Sequence, residues 1–321
     1  MNKNSKRRLT PWMQCGVLRV LPACETIAAT TATPPRRPLY KHLWYEGEMA
    51  CLFGDANCGK SILAVQIADE IARMGHKVLY VDMELSSAQF RSRYTDEITG
   101  ATYDFSGNLR RAEVRPCNLI RWSDEALLYD IETAANDAKC SVVIIDSITY
   151  LRGNMERGKV ASRLMSQLRE LKIRNEWSVL LVAHTPKRPS NAAITLNDIA
   201  GSRILPMSFN SIFAIGAVNN ADSLRYIIQL KCEECEFVNG ADNVVVGSIL
   251  KDGPWLHFSA EYTATEADIL FATGSPANAR VLELWKRGLR QQDIADIITR
   301  EGIPMKQYQV SRILKSYKLK R

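Results

Sequence analysis

The stretch Gly54-Asp55-Ala56-Asn57-Cys58-Gly59-Lys60-Ser61 fits the pattern G-x-x-x-x-G-K-[ST]. Eight residues of this kind also arise by chance in glycine-rich turns, so the flanks decide. Residues 49–53 are a short apolar run that predicts a buried strand, and residues 62–68 open a helix. A strand, a tight turn and a helix start present unpaired backbone N–H groups to an anion. Glycine lets the backbone curl that closely. Gly54, Asp55, Ala56, Asn57, Cys58, Gly59, Lys60, Ser61 and Ile62 are therefore the candidate phosphate cradle. Lys60 can reach the outer phosphates of a nucleotide, and Ser61 can put its hydroxyl on Mg²⁺.

Two further apolar runs end in polar residues. Residues 141–147, Ser-Val-Val-Ile-Ile-Asp-Ser, predict a buried parallel strand with Asp146 at its tip. A carboxylate there suits Mg²⁺ beside a phosphate loop. Residues 178–184, Ser-Val-Leu-Leu-Val-Ala-His, predict another buried strand with His184 at its end. Strand 78–82 leads into Met83-Glu84-Leu85-Ser86, with Ser86 as a helix cap. Ligands bind at the carboxyl ends of such strands. Helices are expected over 62–74, 86–94, 125–138 and 159–177, and another from Asp198. Strands 211–215 and 224–231 and a hairpin from 244 to 258 add an antiparallel edge to the parallel sheet.

Charge divides the 321 residues unevenly. Residues 1–40 hold seven Lys/Arg against one Glu, and residues 276–321 hold eleven against four acidic residues. The whole chain is only +7, so the middle is acidic. Basic ends suit a polyanion, although solubility explains a basic face as well. Residues 1–39 lack apolar periodicity and read as a flexible basic arm. The run at 40–273 carries the phosphate loop. Residues 274–321 show three short helical stretches broken at Gly288 and Gly302, a helix-turn-helix rhythm. Its last helix offers Lys306, Gln309, Arg312 and Lys315 to DNA.

No apolar run approaches the roughly 18 residues of a membrane span. The eight cysteines, at 15, 24, 51, 58, 117, 140, 232 and 235, are scattered and form no disulfide framework. A reducing, cytoplasmic setting is the expectation. Cys232-x-x-Cys235 lacks the second pair that a zinc ribbon needs.

With these motifs in place, the chain resembles the RecA-like P-loop ATPases, and within them the RepA-type hexameric helicase group, AAA family ATPases of plasmids and mobile elements. The marks are GDANCGKS at 54–61, YVDMEL at 80–85, VVIIDS at 142–147, LLVAH at 180–184 and DIAGS at 198–202. The resemblance implies an α/β RecA-like core with a mostly parallel sheet, antiparallel edge strands and a small all-α helix-turn-helix domain. It implies ATP and Mg²⁺ as ligands, DNA as partner and a homo-oligomer, a hexamer in the helicases. Glu84 then matches the base that activates water, and His184 the γ-phosphate sensor. Lys187 and Arg188 fall where a DNA-facing loop stands. Lys231 matches the lysine of a K-x-R pair that reaches the adjacent subunit's nucleotide. Glu233 stands where that pair has its arginine, which leaves Arg203 or Arg225 to substitute. The expected function is an ATP-hydrolysing, DNA-associated ATPase of helicase type. The alternatives are a nucleotide-switched DNA-binding regulator without unwinding activity, and a small-molecule kinase. Glu84, His184 and the basic end have no evident part in the last.

Overall fold

The computed structural model describes residues 22–30, 36–114, 123–147, 158–186, 188–189, 192–200, 205–218, 223–233, 236–271, 276–303 and 305–316. The chain divides into two compact units, 1–37 and 38–321. In the first, α1 (Ala23–Thr30) is a regular helix within the stretch read from the sequence as a flexible basic arm. Leu39 and Tyr40 already belong to the core of the second unit.

The second unit opens with a small antiparallel pair, β1 (Pro38–Tyr40) and β2 (Trp44–Tyr45). It continues β3 (Met49–Gly54), α2 (Lys60–Arg73), β4 (Val78–Asp82), α3 (Ser87–Arg93), β5 (Leu109–Glu113), α4 (Asp124–Asp137), β6 (Val142–Asp146), α5 (Gly158–Arg174) and β7 (Ser178–His184). Then come β8 (Ser211–Ala217), β9 (Leu224–Cys232), β10 (Val244–Asp252), β11 (Trp255–Ala264) and α6 (Glu266–Phe271). Three helices follow: α7 (Pro276–Lys286), α8 (Gln291–Arg300) and α9 (Gln307–Ser316).

Among the described residues nine strands form one sheet in the order β11-β10-β9-β8-β3-β7-β6-β4-β5. The run from β8 to β5 is parallel, and β9, β10 and β11 extend it antiparallel. This is the mixed α/β architecture expected from the sequence. The central strands are apolar on both faces because both faces are covered. In β3, Cys51 and Phe53 enter one core while Ala50 and Leu52 enter the other. In β6, Val143 and Ile145 separate from Val142 and Ile144 in the same way. Alternate residues point to opposite faces of a strand, so each strand serves two cores. Leu63, Ile67 and Ile71 of α2 pack on one face. Leu127 and Ile131 of α4, with Leu164, Leu168 and Leu171 of α5, cover the other. Val281, Leu284, Ile294, Ile298, Val310 and Leu314 build a separate apolar cluster among α7, α8 and α9.

Two local readings change. β5 escaped notice because Leu-Arg-Arg-Ala-Glu has no apolar alternation; as an edge strand it needs none. Where the sequence predicted a helix from Asp198, the described residues form a single 3₁₀ turn, Leu196–Asp198, followed by extended Ile199, and residues 201–204 lie outside the described residues. Asp198 Oδ2 accepts from the Thr195 N–H at 2.7 Å and from its hydroxyl at 2.9 Å, so the side chain closes a local turn.

The register aligns the strand ends. Gly54 lies opposite His184. Asp146 lies opposite both Asp82 and Val182. Gly54 itself has space only for hydrogen: a Cβ there would stand 2.1 Å from the Ile215 carbonyl oxygen and 3.0 Å from Cys58 Sγ. Gly54→Ala should therefore force the β3 terminus away from β8 and destabilise the chain by about 1–3 kcal/mol. A thermal melt would register this as a loss of several degrees. An unchanged melting temperature would show that the β8 end yields freely.

Candidate functional site

The phosphate-loop pattern occupies the turn between β3 and α2, and β3 is the middle strand of the sheet. Gly59 precedes the helix with φ 100°, a conformation that side chains resist. Ala56 and Asn57 are exposed at the crest, Cys58 is buried beneath it, and Ser61 and Ile62 are half-buried in the first helical turn. Lys60 is only 5% exposed. Its ammonium folds back over the loop and donates to the carbonyls of Gly54 at 3.0 Å and Asp55 at 2.8 Å. Burial raises the Cys58 thiol pKa, against the opposing pull of Lys60 and Arg225.

Asp146 is buried beside the loop. Its Oδ2 accepts from the Tyr80 hydroxyl at 2.6 Å, and the Ser61 hydroxyl is within hydrogen-bonding reach. Burial pushes the Asp146 pKa up to about 6, and Glu84 and Asp82 nearby add to the rise; the bonds from Tyr80 and Ser61 oppose it. An incompletely compensated carboxylate next to a hydroxyl is a hard-oxygen donor set that fits Mg²⁺.

Glu84 and His184 meet in front of the strand ends. Glu84 Oε1 is 3.0 Å from His184 Nε2. Ser147, not singled out from the sequence, joins them with its Oγ 3.3 Å from the same nitrogen. The His184 bond holds the Glu84 carboxyl below its usual pKa, the Ser147 bond and the Lys60 charge assist, and partial burial works against them. Glu84 is thus kept ionised, able to accept a proton from water in front of the loop.

A brace for Glu84 was also missed. Asp82 Oδ1 accepts from the backbone N–H groups of Glu84 at 3.1 Å and Leu85 at 2.9 Å. Its Oδ2 is ion-paired to Arg111 of β5, whose guanidinium also donates to the Leu85 carbonyl at 2.6 Å and stacks 4.6 Å from the Phe90 ring centre. The available signal was a buried acidic residue at a strand tip, which requires a cation.

Other candidates move. Arg188 is not turned outward: its side chain is 7% exposed and ion-paired to Asp55 of the phosphate loop, which corrects its assignment to a DNA-facing surface. Lys231 donates to the Phe209 carbonyl at 2.6 Å and pairs with Glu233 at 2.7 Å, so its own chain engages it. Arg225 lies close enough to Cys58 to affect its thiol, beside its own loop. Gln309 is half-buried and its amide oxygen accepts from the Lys306 N–H at 2.7 Å, capping α9 and not standing free. Lys306 is exposed. Lys187 and Arg203, and the side chains of Arg312 and Lys315, lie outside the described residues. Cys232 is disulfide-bonded, whereas Cys24, Cys51, Cys58 and Cys140 are free. Among the described residues no helix is long and apolar enough to cross a membrane.

A family model described as an AAA domain matches residues 18–190, more than half the chain and all of the motifs from the phosphate loop to His184. The chain belongs to this AAA-domain family. Among curated proteins, this family member is 31% identical over 126 residues to the DNA repair protein RadA of Campylobacter jejuni, covering 39% of this chain and 24% of that protein. It is 27% identical over 164 residues to RadA of Chlamydia trachomatis, covering 50% and 31%. The chain thus spans less than a third of the length of the curated relatives it matches. A KaiC-like protein from Pyrococcus horikoshii superposes with a TM-score of 0.50 at 14% identity, over 67% of this chain and 91% of that one. That likeness shows the fold alone.

The raised Asp146 pKa carries a consequence for stability. A carboxyl whose folded pKa lies above its unfolded value favours the fold when protonated, so its ionisation destabilises the fold as pH rises from about 4 through 6. Asp146→Asn should raise the melting temperature of the nucleotide-free protein at pH 7.5, and the gap should close toward pH 5. A variant less stable than wild type at both pH values would contradict this.

Proposed function

We propose that the chain is an ATP-hydrolysing, DNA-associated ATPase acting as an oligomer in replication, recombination, repair or mobilisation of DNA. The observation that carries the proposal is the convergence of Lys60, Ser61, Asp146, Glu84 and His184 on one sheet edge. A metabolite kinase has no need of a Glu–His pair in front of the phosphate loop. The RadA relatives are named as DNA repair proteins, and this supports DNA as the partner.

In this reading the backbone N–H groups of residues 54–61 receive the phosphates, and Lys60 exchanges its loop carbonyls for the outer phosphate oxygens. Ser61 and Asp146 would hold Mg²⁺. The metal ion, when bound, supplies positive charge to the β- and γ-phosphates. Glu84 orients water and accepts its proton as the water oxygen bonds to the γ-phosphorus. The bond from the γ-phosphorus to the bridging oxygen breaks, and ADP and phosphate leave. His184 shares the Glu84 carboxylate and so can pass loss of the γ-phosphate to the segment beyond β7.

For DNA contact we propose the unit α7–α9, read as a helix-turn-helix domain at 274–321. Its own apolar cluster and the excess of basic residues in 276–321 support it. Exposed Lys306 suits a phosphate contact. The resemblance to the RepA-type hexameric helicases makes unwinding the first form of activity to test. One observation favours a nucleotide-switched regulator instead. Lys231 is engaged within its own chain, and Glu233 occupies the place of the trans-acting arginine.

ATPase rate with and without single- and double-stranded DNA, together with oligomeric mass in ATP, separates these readings. Stimulation by DNA with strand displacement supports a helicase. Site-specific binding without displacement supports the regulator. Turnover that ignores DNA and requires a metabolite would overturn both. Lys60→Ala should abolish nucleotide binding, whereas Glu84→Gln should retain binding and lose turnover by a factor on the order of 100 or more. Normal hydrolysis by Glu84→Gln would remove it as the base. A chain ending at Gly274 should keep ATPase activity and lose most DNA affinity; retained affinity would place DNA binding elsewhere.

A further inference from the structure

The phosphate loop carries its own anion. Asp55, one residue into the loop, has a half-buried carboxylate, and its backbone carbonyl already holds Lys60. A triphosphate entering this cradle would meet that carboxylate as well as Asp146 and Glu84. Like charges within a few ångströms repel strongly at a partly buried site. Asp55 is answered from another part of the chain. Arg188, past the end of β7, holds both carboxylate oxygens, Nε at 3.2 Å from Oδ1 and the terminal nitrogen at 3.0 Å from Oδ2. Its other terminal nitrogen donates to the Ala192 carbonyl at 2.5 Å. The guanidinium is buried, with Tyr226 and Glu266 close enough to feel its charge. Glu266 in turn accepts from the Ile194 N–H at 2.8 Å and the Tyr226 hydroxyl at 2.9 Å, fixing the backbone two residues past Ala192. Arg188 is therefore locked in a planar two-pronged pairing with the loop.

We propose that Arg188 is a positioning residue that neutralises Asp55 and so makes the phosphate loop receptive to a nucleoside triphosphate. The inference rests on the reading of residues 54–61 as a nucleotide site and adds a residue that acts through Asp55, without touching the nucleotide. A bidentate guanidinium cancels the carboxylate's field and fixes its direction, which a lysine does less well. With Arg188 in place, Lys60 remains available to the phosphates as an uncancelled charge. Without it, the Asp55 carboxylate faces the γ- and β-phosphates.

Binding of fluorescent ATP and ADP analogues is the test, with ATPase KM and kcat measured beside it. Wild-type binding establishes the underlying reading, and its absence would defeat that reading before this one is reached. Arg188→Ala should weaken ATP binding about tenfold or more, and ADP binding less, because the interaction scales with phosphate charge. The loss should appear in KM more than in kcat. Asp55→Asn in the Arg188→Ala background should restore most of the affinity. If Arg188→Ala does not fold, Arg188→Gln replaces it in the same comparison. Equal binding by wild type and Arg188→Ala would overturn the proposal. So would a loss that Asp55→Asn fails to rescue, since Arg188 would then act on the nucleotide directly or through packing.

Discussion

The carbonyl oxygen of Ile215 stands where a Cβ on Gly54 would be. That contact determines how the phosphate loop leaves the sheet. A side chain at Gly54 would push the end of β3 away from β8, and the turn to α2 would start from a different place. Because the approach is close, the loop begins flush with the strand ends, and the register of β3 with β7 then puts His184 directly opposite Gly54. The positions of Asp146 and Glu84 follow from the same register carried across β6 and β4. A single steric allowance in the centre of nine strands thus fixes the distances on which the candidate chemistry depends.

The strand edge also concentrates negative charge, and each carboxylate is managed differently. Asp82 is paired to Arg111. Glu84 rests against His184 and Ser147. Asp55 is held by Arg188. Asp146 receives hydroxyl donors, and its pKa remains raised by burial. Burying a charge without a full counterion costs several kcal/mol. The carboxylate with least compensation is the one beside Ser61, where a divalent ion would supply what the protein withholds.

The sequence disclosed those parts of the site that local pattern encodes. Gly54–Ser61 has a motif with flanks, and Asp146 and His184 each end a run of apolar residues long enough to read as buried strand. Glu84 needed the family resemblance, because nothing in Met-Glu-Leu-Ser distinguishes a base from a solvated carboxylate. Arg111 and Arg188 were beyond reach for a different reason. Their partners lie 29 and 133 residues away in the chain, and an arginine in a polar stretch gives no indication of which carboxylate it meets. Arg188 was placed on a DNA-facing loop by the family resemblance, which carries no information about a pairing with Asp55. The antiparallel extension β9–β11 was legible from its hairpin, whereas β5 was hidden by its position at the sheet edge.

Lys60, bent over the loop onto the Gly54 and Asp55 carbonyls, acts as a placeholder. Its two bonds brace the curl of the backbone from within the chain. In the proposed role as a nucleotide site, arrival would be an exchange of partners by one ammonium group: two neutral acceptors released and charged ones taken up. In the proposed nucleotide role, the difference in strength between those bonds would govern how readily the site fills and empties.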